Sequence, residues 1–252
     1  MKNPLDIKVQ DNSVAIVGWH DGAAGQIHAW LEKASNYRIA CFVNPTDERL
    51  EIDPTTIERD AAQFSYPTGD TFKDKPLISS SEWVEILADR KIKNVLITTD
   101  EPCERLEQMN LARKKGLKLI NAIHPTALIM EDAILHDNVI LYPRTFVGYR
   151  AELFPGVIVT SAHLDHHNVI KECALIGPGA VFAGNVTIGA FTKVYTGVVI
   201  KNRVKIGQNS ILGAGTVVIE DVPDNVTVVG VPGKIIKHHE PIELVLREAK
   251  HS

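Results

Sequence analysis

Residues 164–218 read LDHHNVIKECALIGPGAVFAGNVTIGAFTKVYTGVVIKNRVKIGQNSILGAGTVV, and one rule holds throughout: an apolar residue returns every sixth position. Stepping down from Leu164 gives Ile170, Ile176, Phe182, Ile188, Val194, Ile200, Ile206, Leu212 and Val218; stepping up gives Ile158, Glu152, Phe146, Ile140, Ile134 and Leu128. Only Glu152 is not apolar. Small or β-branched residues stand two places earlier, at Ala162, Ala174, Ala180, Val186, Thr192, Val198, Val204, Ser210 and Thr216. A period of six matches neither a helix nor an open strand. It matches a solenoid in which each hexad makes one short strand and one corner, with three hexads to a coil and about five coils in all. The expected C-terminal domain, residues 123–236, is therefore an all-β left-handed parallel β-helix of hexapeptide repeats. Glu152 is expected to mark an irregular coil over 149–156. Gly177, Gly189, Gly207 and Gly213 follow apolar positions, where a corner with positive φ is expected. The stacked apolar side chains fill the axis, so chemistry has to sit outside.

In this register Leu164 points inward and Asp165, His166 and His167 occupy the next corner. Steps of eighteen from His166 reach Gly148 and Gly184, which would leave a furrow beside the imidazole. A histidine in a groove is suited to general-base work, since its proton affinity lies close to neutral pH. His166 is thus the candidate base, with Asp165 or a neighbouring group orienting its ring. His124, before Pro125, is expected to hydrogen-bond the turn at the domain junction, and His136, His238 and His239 to lie on the surface.

Upstream, short apolar strands alternate with helical segments. Strands are expected at 13–17, 37–43, 94–98 and 117–121, and helices at 25–33, 82–90 and 104–115, which is a βαβ series forming a Rossmann-like domain over residues 1–122. The polar segment from Pro45 to Lys75 reads as a long loop, and the charged tail 237–252 as a short helix. The turn Gly18-Trp19-His20-Asp21-Gly22-Ala23-Ala24-Gly25 follows the first strand, where backbone N–H groups can cradle a phosphate. Its spacing differs from that of dinucleotide-binding turns. Asn44 closes the second strand, at a position that often contacts a ribose.

A net charge of −4 gives no general attraction for nucleic acid or an anionic membrane. No leader or membrane-spanning run is visible, and a cytoplasmic location is expected. Cys41, Cys103 and Cys173 are scattered and read as packed thiols rather than a disulfide or metal framework.

These residues resemble the bacterial sugar O-acyltransferases of the sialic acid O-acetyltransferase (NeuD) type, nearest to the PglD-like N-acetyltransferases of UDP-4-amino-sugars. The resemblance rests on 121–129 (NAIHPTALI), Asp165-His166, 177–189 (GPGAVFAGNVTIG), 211–218 (ILGAGTVV) and 230–234 (GVPGK), where Gly233 replaces the family's closing alanine. It implies a homotrimer with sites between subunits and acetyl-CoA as acyl donor. It also implies a nucleotide-sugar acceptor held by the N-terminal domain, and no metal. Carried over by position, His166 is the base, with His167 and Asp165 beside it. Gly184, Thr196, Ala214 and Leu175 fall near CoA, and Gly22, Ala23 and Asn44 near the nucleotide sugar. Three positions depart from the pattern: His167 stands where an acid follows the base, Val159 replaces an asparagine, and Asn44-Pro45 replace paired acids. A hydroxyl acceptor and a non-catalytic trimeric scaffold are the other readings. A zinc lyase would need three ligands, and His163, His166 and His167 lack the spacing such enzymes use.

Overall fold

The computed structural model describes residues 7, 9–47, 66–67 and 69–241. The chain divides into two compact units, Met1–Asp100 with Glu107–Ala122, and Glu101–Leu106 with Ile123–Ser252.

The first unit contains β1 (Ser13–Val17), α1 (Gln26–Ala34), β2 (Arg38–Asn44), β3 (Thr71–Phe72), β4 (Lys75–Ser79), α2 (Trp83–Asp89), β5 (Asn94–Ile97), much of α3 (Pro102–Lys114), and β6 (Lys118–Leu119). The strands lie in the order β3-β4-β2-β1-β5-β6. All pairs are parallel except β3 with β4. β1 and β5 are buried along their whole length, as runs of Val, Ile and Leu must be when helices cover both faces. α1 turns Ile27, Trp30 and Leu31 inward. The expected loop over 45–75 needs correction at its end. Residues 48–65 and 68 lie outside the described residues, but Phe72 is buried edge-on to Phe42 at 4.8 Å, and β4 pairs with β2 through Phe42 and Leu77. Its apolar content is only Leu77 and Ile78, after Pro76, too short a run to announce a strand.

The second unit is a parallel β-helix with three flat faces. The first face runs from Ala122–Ile123 through Ile140–Leu141, Ile158–Val159, Leu175–Ile176 and Lys193–Val194 to Ile211–Leu212. The second stacks Leu128–Ile129, Phe146–Val147, His163–Leu164, Val181–Phe182, Val199–Ile200 and Val217–Val218. The third stacks Ile134–Leu135, Glu152–Leu153, Val169–Ile170, Thr187–Ile188 and Lys205–Ile206. Val226–Val229 extends the first face and pairs antiparallel with Lys234–His238. Lys237 and His238, assigned above to a helical tail, therefore end a strand; residues 242–252 lie outside the described residues.

The hexad register is corrected by one residue. From Leu164 onward the stepped positions point inward, but upstream the buried axis is formed by Leu141, Val147, Leu153 and Val159. Pairing shows the shift: Leu164 faces Phe182 eighteen residues on, whereas Val147 faces Leu164 only seventeen on. The corner between Val159 and Leu164 is one residue short. Glu152 is consequently no irregularity. It lies in a regular strand, faces outward and bonds His136 at 2.9 Å.

Corner conformation also differs from expectation. Positive φ is carried three residues after the inward position, by Arg150, His167, Cys173, Asn185, Phe191, Arg203 and Asn209 among others. Gly177 and Gly189 are needed for close approach instead. A Cβ at Gly177 would lie 2.8 Å from the Tyr195 carbonyl carbon, and one at Gly189 would lie 2.4 Å from the Gln208 nitrogen.

Cys41 and Cys173 are buried thiols, pushed by burial to about 12 and about 11. Cys103, expected to be packed, is exposed in the first turn of α3.

The shifted register makes a discriminating prediction. Val147→Asp, placing a carboxylate on the axis, is expected to cost about 3 kcal/mol or more in urea unfolding, while Phe146→Gln leaves the fold intact. The reverse order would restore the unshifted register.

Candidate active site

The corner Asp165–Asn168 joins the second face to the third. Each coil contributes one such corner, and backbone hydrogen bonds tie them together: His167 N donates to Tyr149 O at 2.8 Å, Asn185 N to His166 O at 2.9 Å, and Arg203 N to Gly184 O at 3.0 Å. Because the conformation repeats, equivalent residues stack. Gly184 lies directly above His166, and a Cβ there would be 2.3 Å from the imidazole Cε1 and 2.4 Å from Nε2. The ring therefore lies with its face against Gly184, in space that only glycine leaves open. Below, the one-residue shift brings Tyr149 into line with His166, not Gly148. Gly148 instead packs against the Asp165 backbone, where a Cβ would be 2.5 Å from the carbonyl carbon.

His166 and His167 are both exposed. Their Nδ1 atoms are 3.0 Å apart and their rings are nearly perpendicular, at 84°. Asp165 does not orient the ring: its Oδ1 accepts the His166 backbone N–H at 2.7 Å. The carboxylate secures the turn, and the ring's polar neighbour is His167. Val159 is buried on the axis, so its side chain is withheld from any acceptor. His163 stacks on Phe146 at 4.5 Å and 11°. Among the described residues, no group of three or more His, Cys, Asp or Glu is placed to hold a metal ion.

Of the residues expected near CoA, Gly184 lies on the His166 corner. Exposed Thr196 and Ala214 lie at the opposite edge of the second face, one coil apart, and half-buried Leu175 lies on the first face. In the first unit, Asp21–Gly25 forms a π-helical turn, a geometry often found at functional positions. Its amides have partners: Gly22 N donates to His20 Nδ1 at 3.2 Å, and Ala23 N and Gly25 N donate to His20 O. Asn44 is buried, with Nδ2 donating to Thr46 Oγ1 at 3.2 Å.

The remaining histidines differ in part from expectation. His124 Nδ1 accepts Thr126 N–H at 3.2 Å, capping the turn as expected. His136 is engaged with Glu152 and stacked on Phe154, and His239 bonds Thr227 at 2.8 Å.

No protein-family model matches the chain. Among solved structures, perosamine N-acetyltransferase from Caulobacter crescentus, in complex with CoA and GDP-perosamine, superposes with a TM-score of 0.78 at 22% identity, covering 91% of this chain and 99% of that one. The acetyltransferase domain of PglB from Neisseria gonorrhoeae, in complex with acetyl coenzyme A, gives 0.74 at 25% identity over 90% of this chain and 100% of that one. The chain has the left-handed hexapeptide-repeat acyltransferase fold. Curated relatives match more locally. Galactoside O-acetyltransferase of Escherichia coli is 34% identical over 92 residues, 36% of this chain and 42% of the relative. Serine acetyltransferase of Bacillus subtilis is 31% identical over 119 residues, 45% and 46% respectively. The chain thus spans less than half the length of these curated relatives. Among the described residues, no helix is long and apolar enough to cross a membrane.

Gly184→Ala is expected to displace the His166 imidazole while changing stability by less than about 1 kcal/mol. The histidine side-chain NMR resonances check this; an unmoved His166 signal would show that the ring does not lie against Gly184.

Proposed function

We propose that this protein transfers the acetyl group of acetyl-CoA to the amine of a nucleotide-linked 4-amino-4,6-dideoxy sugar, with His166 as general base. The observation that carries this reading is the His166 imidazole lying against Gly184 on an exposed corner, with Nδ1 engaged by His167 and Nε2 left for the acceptor. The likeness to perosamine N-acetyltransferase, solved with CoA and GDP-perosamine, supports the donor and the nucleotide-sugar class, and the likeness to the PglB acetyltransferase domain, solved with acetyl coenzyme A, supports the donor. The serine and galactoside acetyltransferase relatives support acetyl transfer more broadly.

In this mechanism the acceptor amine attacks the thioester carbonyl as His166 Nε2 takes its proton. Backbone N–H groups stabilise the tetrahedral oxyanion. Collapse breaks the C–S bond, and the proton on His166 passes to the departing CoA thiolate, leaving the base neutral again. Gly184 accommodates the donor beside the ring, with Leu175, Thr196 and Ala214 along its path, and Gly22, Ala23 and Asn44 serve the nucleotide sugar. The corner that carries His166 and the corner that carries Thr196 and Ala214 flank the second face. That face exposes an apolar column, with Leu128 57%, Val181 43% and Val199 41% accessible. Such a column suits burial against another copy, which supports the homotrimer that the family resemblance implies, acting in the cytoplasm where acetyl-CoA is made.

Thiol release from acetyl-CoA with UDP-, dTDP- and GDP-linked 4-amino-sugars tests the reaction. One sugar is expected to support turnover, and His166→Ala to reduce it by about 100-fold or more. Turnover only with hydroxyl acceptors would replace the amine reading; unchanged turnover in His166→Ala would remove the base. Light scattering is expected to give three times the 27.7 kDa chain mass, and Val199→Glu to lower it. A native monomer would contradict the assembly.

A further inference from the structure

His166 has as its ring partner another imidazole, where a fixed carboxylate is the usual means of orienting a catalytic histidine. Two neutral imidazoles share an Nδ1···Nδ1 contact of 3.0 Å only when one nitrogen carries the proton and the other offers its lone pair. If His166 is the base, the lone pair must be on Nε2, because Nδ1 is taken by the contact with His167, so its proton must be on Nδ1. His167 is then the acceptor at Nδ1 and carries its own proton on Nε2.

His167 is held in place for this part. Its backbone takes the left-handed corner conformation, φ 58°, and its N–H is bonded to Tyr149 O at 2.8 Å. The Tyr149 ring meets the His167 ring edge-on at 5.7 Å, and Arg150 lies over Tyr149 at 5.0 Å while reaching Asp132 at 3.6 Å. Tyr149 reaches this position through the short corner at 160–162.

We propose that His167 is a positioning residue: a neutral imidazole, braced by Tyr149, that fixes His166 as the Nδ1–H tautomer and so presents Nε2 as the base. This rests on the acetyl-transfer reading given above. When His166 takes the amine proton on Nε2, no proton moves to His167. The contact becomes a charge-assisted hydrogen bond from His166 Nδ1–H to a neutral acceptor.

Two substitutions separate this role from packing. His167→Asn keeps an acceptor near the Nδ1 position and tolerates positive φ. His167→Phe keeps an aromatic ring against Tyr149 without an acceptor, in a conformation that Phe191 already adopts in this β-helix. The asparagine variant is expected to keep kcat within about threefold, and the phenylalanine variant to lose about tenfold or more in kcat at unchanged KM for acetyl-CoA. Long-range proton–nitrogen NMR is expected to find His166 protonated on Nδ1 in the native protein and the asparagine variant, and on Nε2 in the phenylalanine variant. Full activity in His167→Phe, or a His166 protonated on Nε2 in the native protein, overturns the proposal. Undiminished turnover in His166→Ala would instead overturn the reading of His166 as base, and the tautomer measurement would still stand by itself.

Discussion

The structure depends on the stacking of equivalent corners. Each hexad must return its inward side chain to the axis, so each corner repeats one backbone conformation, and bonds such as Asn185 N to His166 O lock neighbouring coils in register. Side chains outside the prism then form columns whose members are fixed by arithmetic along the chain. His166 is a base candidate because that arithmetic puts Gly184 above it. The ring needs no pocket of its own; a single missing Cβ in the next coil makes the space.

Much of this was legible in the sequence. The hexad period specified the β-helix, and a step of eighteen from His166 found Gly184 because the coils above it keep full hexads. The step down failed. The corner between Val159 and Leu164 has lost a residue, and the upstream coils carry apolar side chains on both columns, with Ile140 and Ile158 buried although they face away from the axis. Two adjacent apolar columns hide a one-residue slip, and Glu152, the sole visible sign, reads from the sequence as an irregular coil. The same slip concealed Tyr149. Hydrogen-bonding roles were less readable still, since nothing in the order Asp-His-His says which neighbour meets the ring. The Asp165 carboxylate is drawn to the His166 amide one residue away, a short-range bond that competes with any longer reach. β4 was missed because two apolar residues carry little periodic signal.

The chemical consequence is a candidate base whose ring partner carries no fixed negative charge. A carboxylate partner orients a histidine and stabilises its cationic form with a full negative charge; a neutral imidazole partner orients it and stabilises the cation only as a hydrogen-bond acceptor. The N-terminal turn shows a similar economy: the amides of Gly22, Ala23 and Gly25 are satisfied by His20, so the turn is held in shape by its own residues.

The most direct test is a crystal structure with CoA and a nucleotide-linked 4-amino-sugar bound together. The account predicts the CoA thiol beside Gly184 and the sugar amine within about 3 Å of His166 Nε2, or joined to it through one water. A pantetheine arm lying instead in the groove between Phe154, Lys171, Lys205 and Asp224, with the amine out of reach of His166, would contradict it.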